Sequence, residues 1–332
     1  MSTIIGPPQE SIPSDESMPA GEQAHLYTKA HKGKDLFNAL VPVRAWMQDK
    51  NLRSWMAALL VVLVAVPAIG MVITSPTAGA WVFAGFFAVA WLLLLFVIVR
   101  PQNITAGPLA VVVVLGLIVE APLAIALESA SGASTSNIFA SVFEVGVPEE
   151  LSKMVPLLVI AAVVLSGKAK ASWLALKPRD YLFLGAVSGA VFGASEAVLY
   201  FTQLGTAGTG TITGTQVQQF VLDLGTWRFL TDPISHACWA GIAGYFIGLA
   251  IQEYRKGMTK QAAVALGCTG IAITSVLHGF NDWVVSPPGF FFVLVSVVSV
   301  LLFLGYARVG ASPDALQAAV QAPLKVKDEV TS

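Results

Sequence analysis

The sequence predicts an all-α polytopic membrane protein, a bundle of eight transmembrane helices with both termini in the cytoplasm. Three observations predict it. Hydrophobic residues fill 55% of the 332 positions and charged residues only 12%, against about 25% charged in a soluble domain. The apolar residues run in stretches of about 20, the length a helix needs to cross the hydrocarbon core. The lysines and arginines fall on alternate sides of those stretches, as the positive-inside rule requires.

In chain order, residues 1–50 are polar and aperiodic, rich in Pro, Ser and Glu, and read as a disordered cytoplasmic segment. Its end, Leu36 to Met47, has the mixed apolar and basic character of a stretch lying on the inner membrane surface. The transmembrane domain covers 51–310, with spans at about 54–74, 79–99, 104–127, 143–166, 180–202, 231–252, 261–284 and 288–308. The first apolar run begins too far into the chain to be a cleavable signal. With the N-terminus inside, all but Lys153 and Arg228 of the 19 lysines and arginines face the cytoplasm. The outer connections, around 75–79, 128–137 and 202–219, are rich in Ser, Gly, Thr and Ala. Residues 311–332 form a cytoplasmic tail. Cys238 and Cys268, the only cysteines, lie in apolar runs, which excludes a disulfide framework or a CxxC zinc site. The net charge of −1 gives no reason to expect a nucleic-acid partner.

Several spans carry residues that hydrocarbon disfavours. A charged side chain at mid-bilayer costs about 2.5–3.5 kcal/mol on insertion scales. The fourth span holds Val147-Pro148-Glu149-Glu150-Leu151-Ser152-Lys153. Gly146 and Pro148 predict a break or kink there, with the glutamates in a first turn where the helix dipole favours negative charge. Lys153 reaches Glu150 at three residues and Glu149 at four. It holds one carboxylate while the other stays poised to exchange a proton. The fifth span places Gly185, Gly189 and Gly193 where a second helix approaches closely. It also carries Glu196, its one charged side chain, with Phe192 a turn earlier. Thr231-Asp232-Pro233 reads as a helix start with Asp232 as cap, Arg228 before it and His236 a turn further in. On the seventh span His278 and Asp282 share a face. Such a pair binds a metal, orients a tautomer or stabilises an oxyanion. Glu120 and Glu144 match no interpretable spacing.

At these residues the chain resembles the PrsW family of intramembrane proteases, related to the CaaX-protease and bacteriocin-processing superfamily. The resemblance covers about 50–310. It rests on EExxK at Glu149, Glu150 and Lys153, on FxxxE at Phe192 and Glu196, on the Arg228 to His236 segment, and on HxxxD at His278 and Asp282. It implies a multi-pass cell-membrane peptidase that cuts membrane-anchored proteins such as anti-sigma factors near the extracytoplasmic face. Glu149 and Glu196 would activate water, Glu150 would stand beside them, and His278 with Asp282 would position the scissile carbonyl. Lys153, Phe192, Arg228 and His236 would support them. The CaaX branch has histidine where Glu196 stands. Two chemistries fit: a zinc ion on Glu196, His236 and His278, or a metal-free glutamate mechanism.

Two rival readings use the same residues. Ser195 beside Glu196 suggests a serine protease, but no histidine is fixed next to it. Intramembrane carboxylates and histidines also build proton- or ion-coupled transporters, against which stands the lack of a visible internal repeat. The predicted orientation is testable. Val284→Cys or Trp227→Cys, in a chain lacking Cys238 and Cys268, should react with an impermeant thiol reagent added outside intact cells. Labelling only after the inner face is opened would reverse the topology.

Overall fold

The computed structural model describes Ser54 and residues 76–207, 214–283 and 290–309. The expected terminal segments and, apart from Ser54, the first span lie outside the described residues. Among these residues every regular element is helical: α1 (Pro76–Val99), α2 (Ala106–Leu115), α3 (Ala121–Ser131), α4 (Ile138–Ala140), α5 (Val147–Leu165), α6 (Ala171–Leu174), α7 (Pro178–Ala207), α8 (Gly214–Arg255), α9 (Lys260–Trp283) and α10 (Phe290–Val309). Two π-helical turns, Gly116–Glu120 and Ser141–Gly146, join α2 to α3 and α4 to α5. Five stretches are long and apolar enough to cross a membrane: Thr77–Val99, Ala106–Ser131, Pro178–Gln203, Arg228–Arg255 and Lys260–Trp283. Val293–Val309 is a shorter apolar helix. α5 differs from all of these in carrying two glutamates and a lysine near its start.

α7 and α8 form the centre. In each, 78% of the most apolar window is buried, against 28%, 22% and 33% for the other three long stretches, so the outer helices shield this pair. The glycines of α7 explain how close the pair comes. A Cβ at Gly185 would lie 2.2 Å from the Ala240 carbonyl oxygen, one at Gly189 2.0 Å from that of His236, and one at Gly193 2.6 Å from that of Asp232. Backbone therefore meets backbone over several turns, the small-residue packing that membrane helices favour.

A second close approach joins α9 to the π-turn before α5. A Cβ at Gly279 would stand 2.5 Å from Val142, and one at Gly146 2.6 Å from the Ser275 carbonyl oxygen. Ser141 Oγ also donates to the Gly279 carbonyl at 2.8 Å. This seam brings the His278 turn of α9 against the glutamate turn of α5.

One proline reading is corrected. The helix expected to start at Asp232 starts at Gly214; α8 runs 42 residues with Pro233 inside it, about 63 Å at 1.5 Å per residue. Asp232 is thus no cap, and the lost hydrogen bond is tolerated within the bundle, as membrane helices allow. At Gly146, where the sequence predicts a break or kink, the helix is irregular and not interrupted: Gly146 is right-handed helical (φ −57°, ψ −45°) and closes a π-turn that passes into α5, with Pro148 and both glutamates in its first turn.

The glycine contacts predict an asymmetry. Gly189→Ala should destabilise the detergent-purified protein by about 1–3 kcal/mol or more through overpacking. Gly85→Ala on α1 meets nothing within 4 Å and should hold or raise the unfolding midpoint. Equal tolerance at both positions would refute the backbone-contact account.

Candidate active site

The first turns of α5 place Glu149, Glu150 and Lys153 on one face. Lys153 and Glu150 are fully buried, with Nζ 2.6 Å from Glu150 Oε1 and 3.8 Å from Glu149 Oε2. The ammonium also lies 2.8 Å from His236 Nδ1 and 3.5 Å from His278 Nδ1. It stands 4.7 Å from the Phe192 ring centre. Lysine is donor only, so a bond to His236 makes Nδ1 the acceptor and leaves the hydrogen on Nε2. That Nε2 faces Glu196 Oε2 at 2.8 Å.

His278 is held the opposite way round. Its Nδ1 lies 3.0 Å from Glu150 Oε1, a carboxylate that can only accept, so Nδ1 is the donor. Nε2 is left facing Glu149 Oε2 at 3.4 Å and Asp282 Oδ2 at 3.3 Å. A hydrogen or a metal cation on Nε2 completes that arrangement. Carboxylate behind, histidine between and cation in front is how metal-bound histidines are usually oriented. Trp239 stacks on the His278 ring, centroids 4.6 Å apart, and meets His236 edge-on at 5.1 Å. Its Nε1 donates to Ser299 Oγ at 2.8 Å. The two imidazoles are therefore walled by Phe192 and Trp239.

Exposure rises in one direction across the cluster. The side chains of Lys153 and Glu150 are at 0%, Glu149 at 7%, Glu196 at 13%, Arg228 at 19% and Asp282 at 22%. The cluster thus opens at the Asp282 and Arg228 end. There Arg228 Nη1 pairs with Asp232 at 3.2 Å and Glu196 at 3.5 Å, its guanidinium 3.7 Å above the Tyr200 ring. Half-buried Glu128 of α3 reaches the Glu149 carboxyl from the side.

A family model described as PrsW family intramembrane metalloprotease matches residues 102–306. The chain belongs to the PrsW family. The match covers α3, α5, α7, α8 and α9, every helix that contributes to this cluster, and makes the protein a multi-pass membrane peptidase. No match is found among curated proteins or solved structures.

All the residues singled out in the PrsW-like motifs meet in this cluster: Glu149, Glu150, Lys153, Phe192, Glu196, Arg228, His236, His278 and Asp282. Arg228 is paired, not merely at the surface. Ser195, the rival nucleophile, donates to the Val191 carbonyl of its own helix at 2.9 Å. Ligand atoms of Glu149, His236 and His278 lie within 4.8 Å of one another. The trio expected from sequence had Glu196 in the place of Glu149; in the structure Glu196 stands against His236 Nε2. Sequence reasoning missed Trp239, although it follows His236 by three residues and so shares its helix face. It also missed Glu128, which looked like part of an outer loop but lies on α3.

The Lys153–Glu150 pair should be strongly coupled. Lys153→Met leaves Glu150 buried and uncompensated, which should cost about 3–5 kcal/mol. Adding Glu150→Leu should recover much of that loss, as chemical denaturation in detergent would measure. Additive losses would mean that the pair does not exist.

Proposed function

We propose that this PrsW-family protein hydrolyses peptide bonds of membrane-anchored proteins, anti-sigma factors being one such class, at the cluster around Lys153. The observation that carries the reading is the convergence of Glu149, Glu150, His236 and His278 on one buried ammonium, with Glu196 and Asp282 against the two histidines at the open end. In the proposed arrangement residues 51–310 form the catalytic domain, with eight spans and the segments 1–50 and 311–332 in the cytoplasm of a cell-membrane protein. The open end then faces outward.

In the reaction the oxygen of a water attacks the scissile carbonyl carbon. The C–N bond breaks, and the water's proton passes through a carboxylate to the departing amine. Glu196, next to the mouth, and Glu149, deeper in, are the carboxylates placed to take that proton. Asp282 and His278 position the carbonyl. Glu150 fixes the His278 tautomer, and Lys153 supplies positive charge in a water-poor setting where it acts strongly on developing negative charge.

The donor chemistry fits a metal. One carboxylate and two imidazoles are a known catalytic zinc set, and Glu149 Oε2 is buried without a hydrogen-bond partner. Glu149 Oε2 and His278 Nε2 would hold the ion, and His236 would join them through Nδ1 by giving up its bond to Lys153; when bound, the ion would polarise a carbonyl as a Lewis acid. Glu149 would then be occupied as a ligand, leaving Glu196 as the base.

Wild type should cut members of a library of single-span peptides in lipid nanodiscs, with products identified by mass. Glu149→Gln should reduce cleavage by at least about 100-fold, whereas Ser195→Ala should stay active. The purified protein should bind about one zinc per chain, with less on His236→Ala, His278→Ala and Glu149→Gln. Full cleavage after chelation would assign the chemistry to the carboxylates alone. Normal cleavage by Glu149→Gln would remove this cluster from the reaction.

A further inference from the structure

Behind the cluster, on the side away from its mouth, lies a carboxyl that the chemistry above does not use. Glu120 closes the π-turn Gly116–Glu120 and is fully buried in the apolar stretch Ala106–Ser131. A group of this kind is expensive in a membrane. Irregular π-turns of this kind are frequent at functional sites. Ser188 Oγ on α7 donates its one hydrogen to the backbone carbonyl of Lys153 at 2.6 Å, so the Glu120 carboxyl, in its protonated form, donates to Ser188 Oγ. Both Glu120 and Ser188 are at 0% exposure. Gly116, one turn before Glu120, leaves room for the carboxyl: a Cβ there would come within 2.9 Å of Val191 and 3.4 Å of Glu120 Oε1.

The position of Ser188 gives this contact its meaning. Its neighbour Gly189 is the residue whose backbone rests on the His236 carbonyl. One dipeptide of α7 therefore touches the main chain at Lys153 through a hydroxyl and at His236 through a bare Cα. Those two backbones carry the side chains whose ends meet at 2.8 Å, Lys153 Nζ and His236 Nδ1. Glu120 holds the Ser188 rotamer that makes the hydroxyl half of this junction.

We propose that Glu120 and Ser188 are positioning residues for the peptidase site. They act as a hydrogen-bonded brace that fixes the height of Lys153 against His236, Glu150 and His278. The proposal rests on the functional reading above. It assigns Glu120 its hydrogen bond to Ser188, not a charge, as the working feature, and this separates the variants. Glu120→Gln keeps a side-chain N–H that donates to Ser188 Oγ; Glu120→Leu keeps the bulk and loses it. Ser188→Thr keeps the hydroxyl; Ser188→Ala removes it.

The test measures kcat and KM on the best-cleaved peptide of the library, beside wild type and Glu149→Gln. It also records the emission of Trp239, isolated by subtracting the spectrum of Trp239→Phe. Glu120→Leu and Ser188→Ala should lower kcat about 10- to 100-fold, the penalty of a small misplacement, with KM within about twofold. Glu120→Gln and Ser188→Thr should stay close to wild type. Both damaging variants should shift Trp239 emission, because that ring stacks on His278, and the conservative pair should not. Wild-type kcat in Glu120→Leu would overturn the brace. So would a loss shared by Glu120→Gln, which keeps a donor to Ser188 Oγ. If wild type cuts no peptide, the peptidase reading fails and the emission arm decides the brace by itself: shifted spectra in Glu120→Leu and Ser188→Ala support it, unchanged ones refute it.

Discussion

A lysine ammonium cannot sit alone in an apolar interior, and Lys153 has no exposed surface at all. Its burial is sustained by Glu150 at 2.6 Å, by His236 at 2.8 Å and by the face of Phe192. Because an ammonium donates and never accepts, it dictates the polarity of what surrounds it. His236 must present a bare Nδ1. Glu150, pinned between Lys153 and His278, must draw its hydrogen bond from the other histidine's Nδ1. The ammonium and its carboxylate partner thus fix the role of each Nδ1, and the two answers are opposite: an acceptor on His236 and a donor on His278.

That electrostatic arrangement needs accurate placement of groups from four helices, and the backbone supplies it. α7 meets α8 through glycines, α9 meets the π-turn ahead of α5 through glycines, and hydroxyls of Ser141 and Ser188 tie the remaining edges. In a bilayer the lipid tails are as apolar as the core, so hydrophobic burial does little to choose one helix pairing over another. Close packing and internal hydrogen bonds make that choice. The peripheral helices, with exposed apolar side chains, have no comparable constraint.

Much of the site was legible in the sequence because its motifs are local. Glu150 and Lys153, or His278 and Asp282, are neighbours on one turn, and helical spacing alone places them together. The glycine spacing of α7 likewise announced a close helix partner. What spacing does not encode is the side from which a residue on one helix meets a residue on another. Whether Glu149 or Glu196 faces both histidines is decided by helix rotation, and the described cluster groups Glu149 with them. Glu120 looked uninterpretable because its partner, Ser188, is 68 residues away. Pro233 misled for a different reason. Rules for soluble helices make it a helix start, whereas α8 runs through it. Asp232, read as a cap, is turned toward Arg228.

The glycine seam has a consequence for how this chain tolerates change. Where a histidine's height is fixed by side-chain packing, each exchange of Leu for Val nearby shifts it slightly, and the errors accumulate. Here the main chain of His236 rests directly on the main chain of Gly189, so the surrounding apolar letters are relieved of that duty. Drift among Leu, Ile, Val and Phe over most of the bundle can proceed with little effect on the reactive groups. Mutational sensitivity is concentrated instead in a few small residues that carry no chemistry of their own.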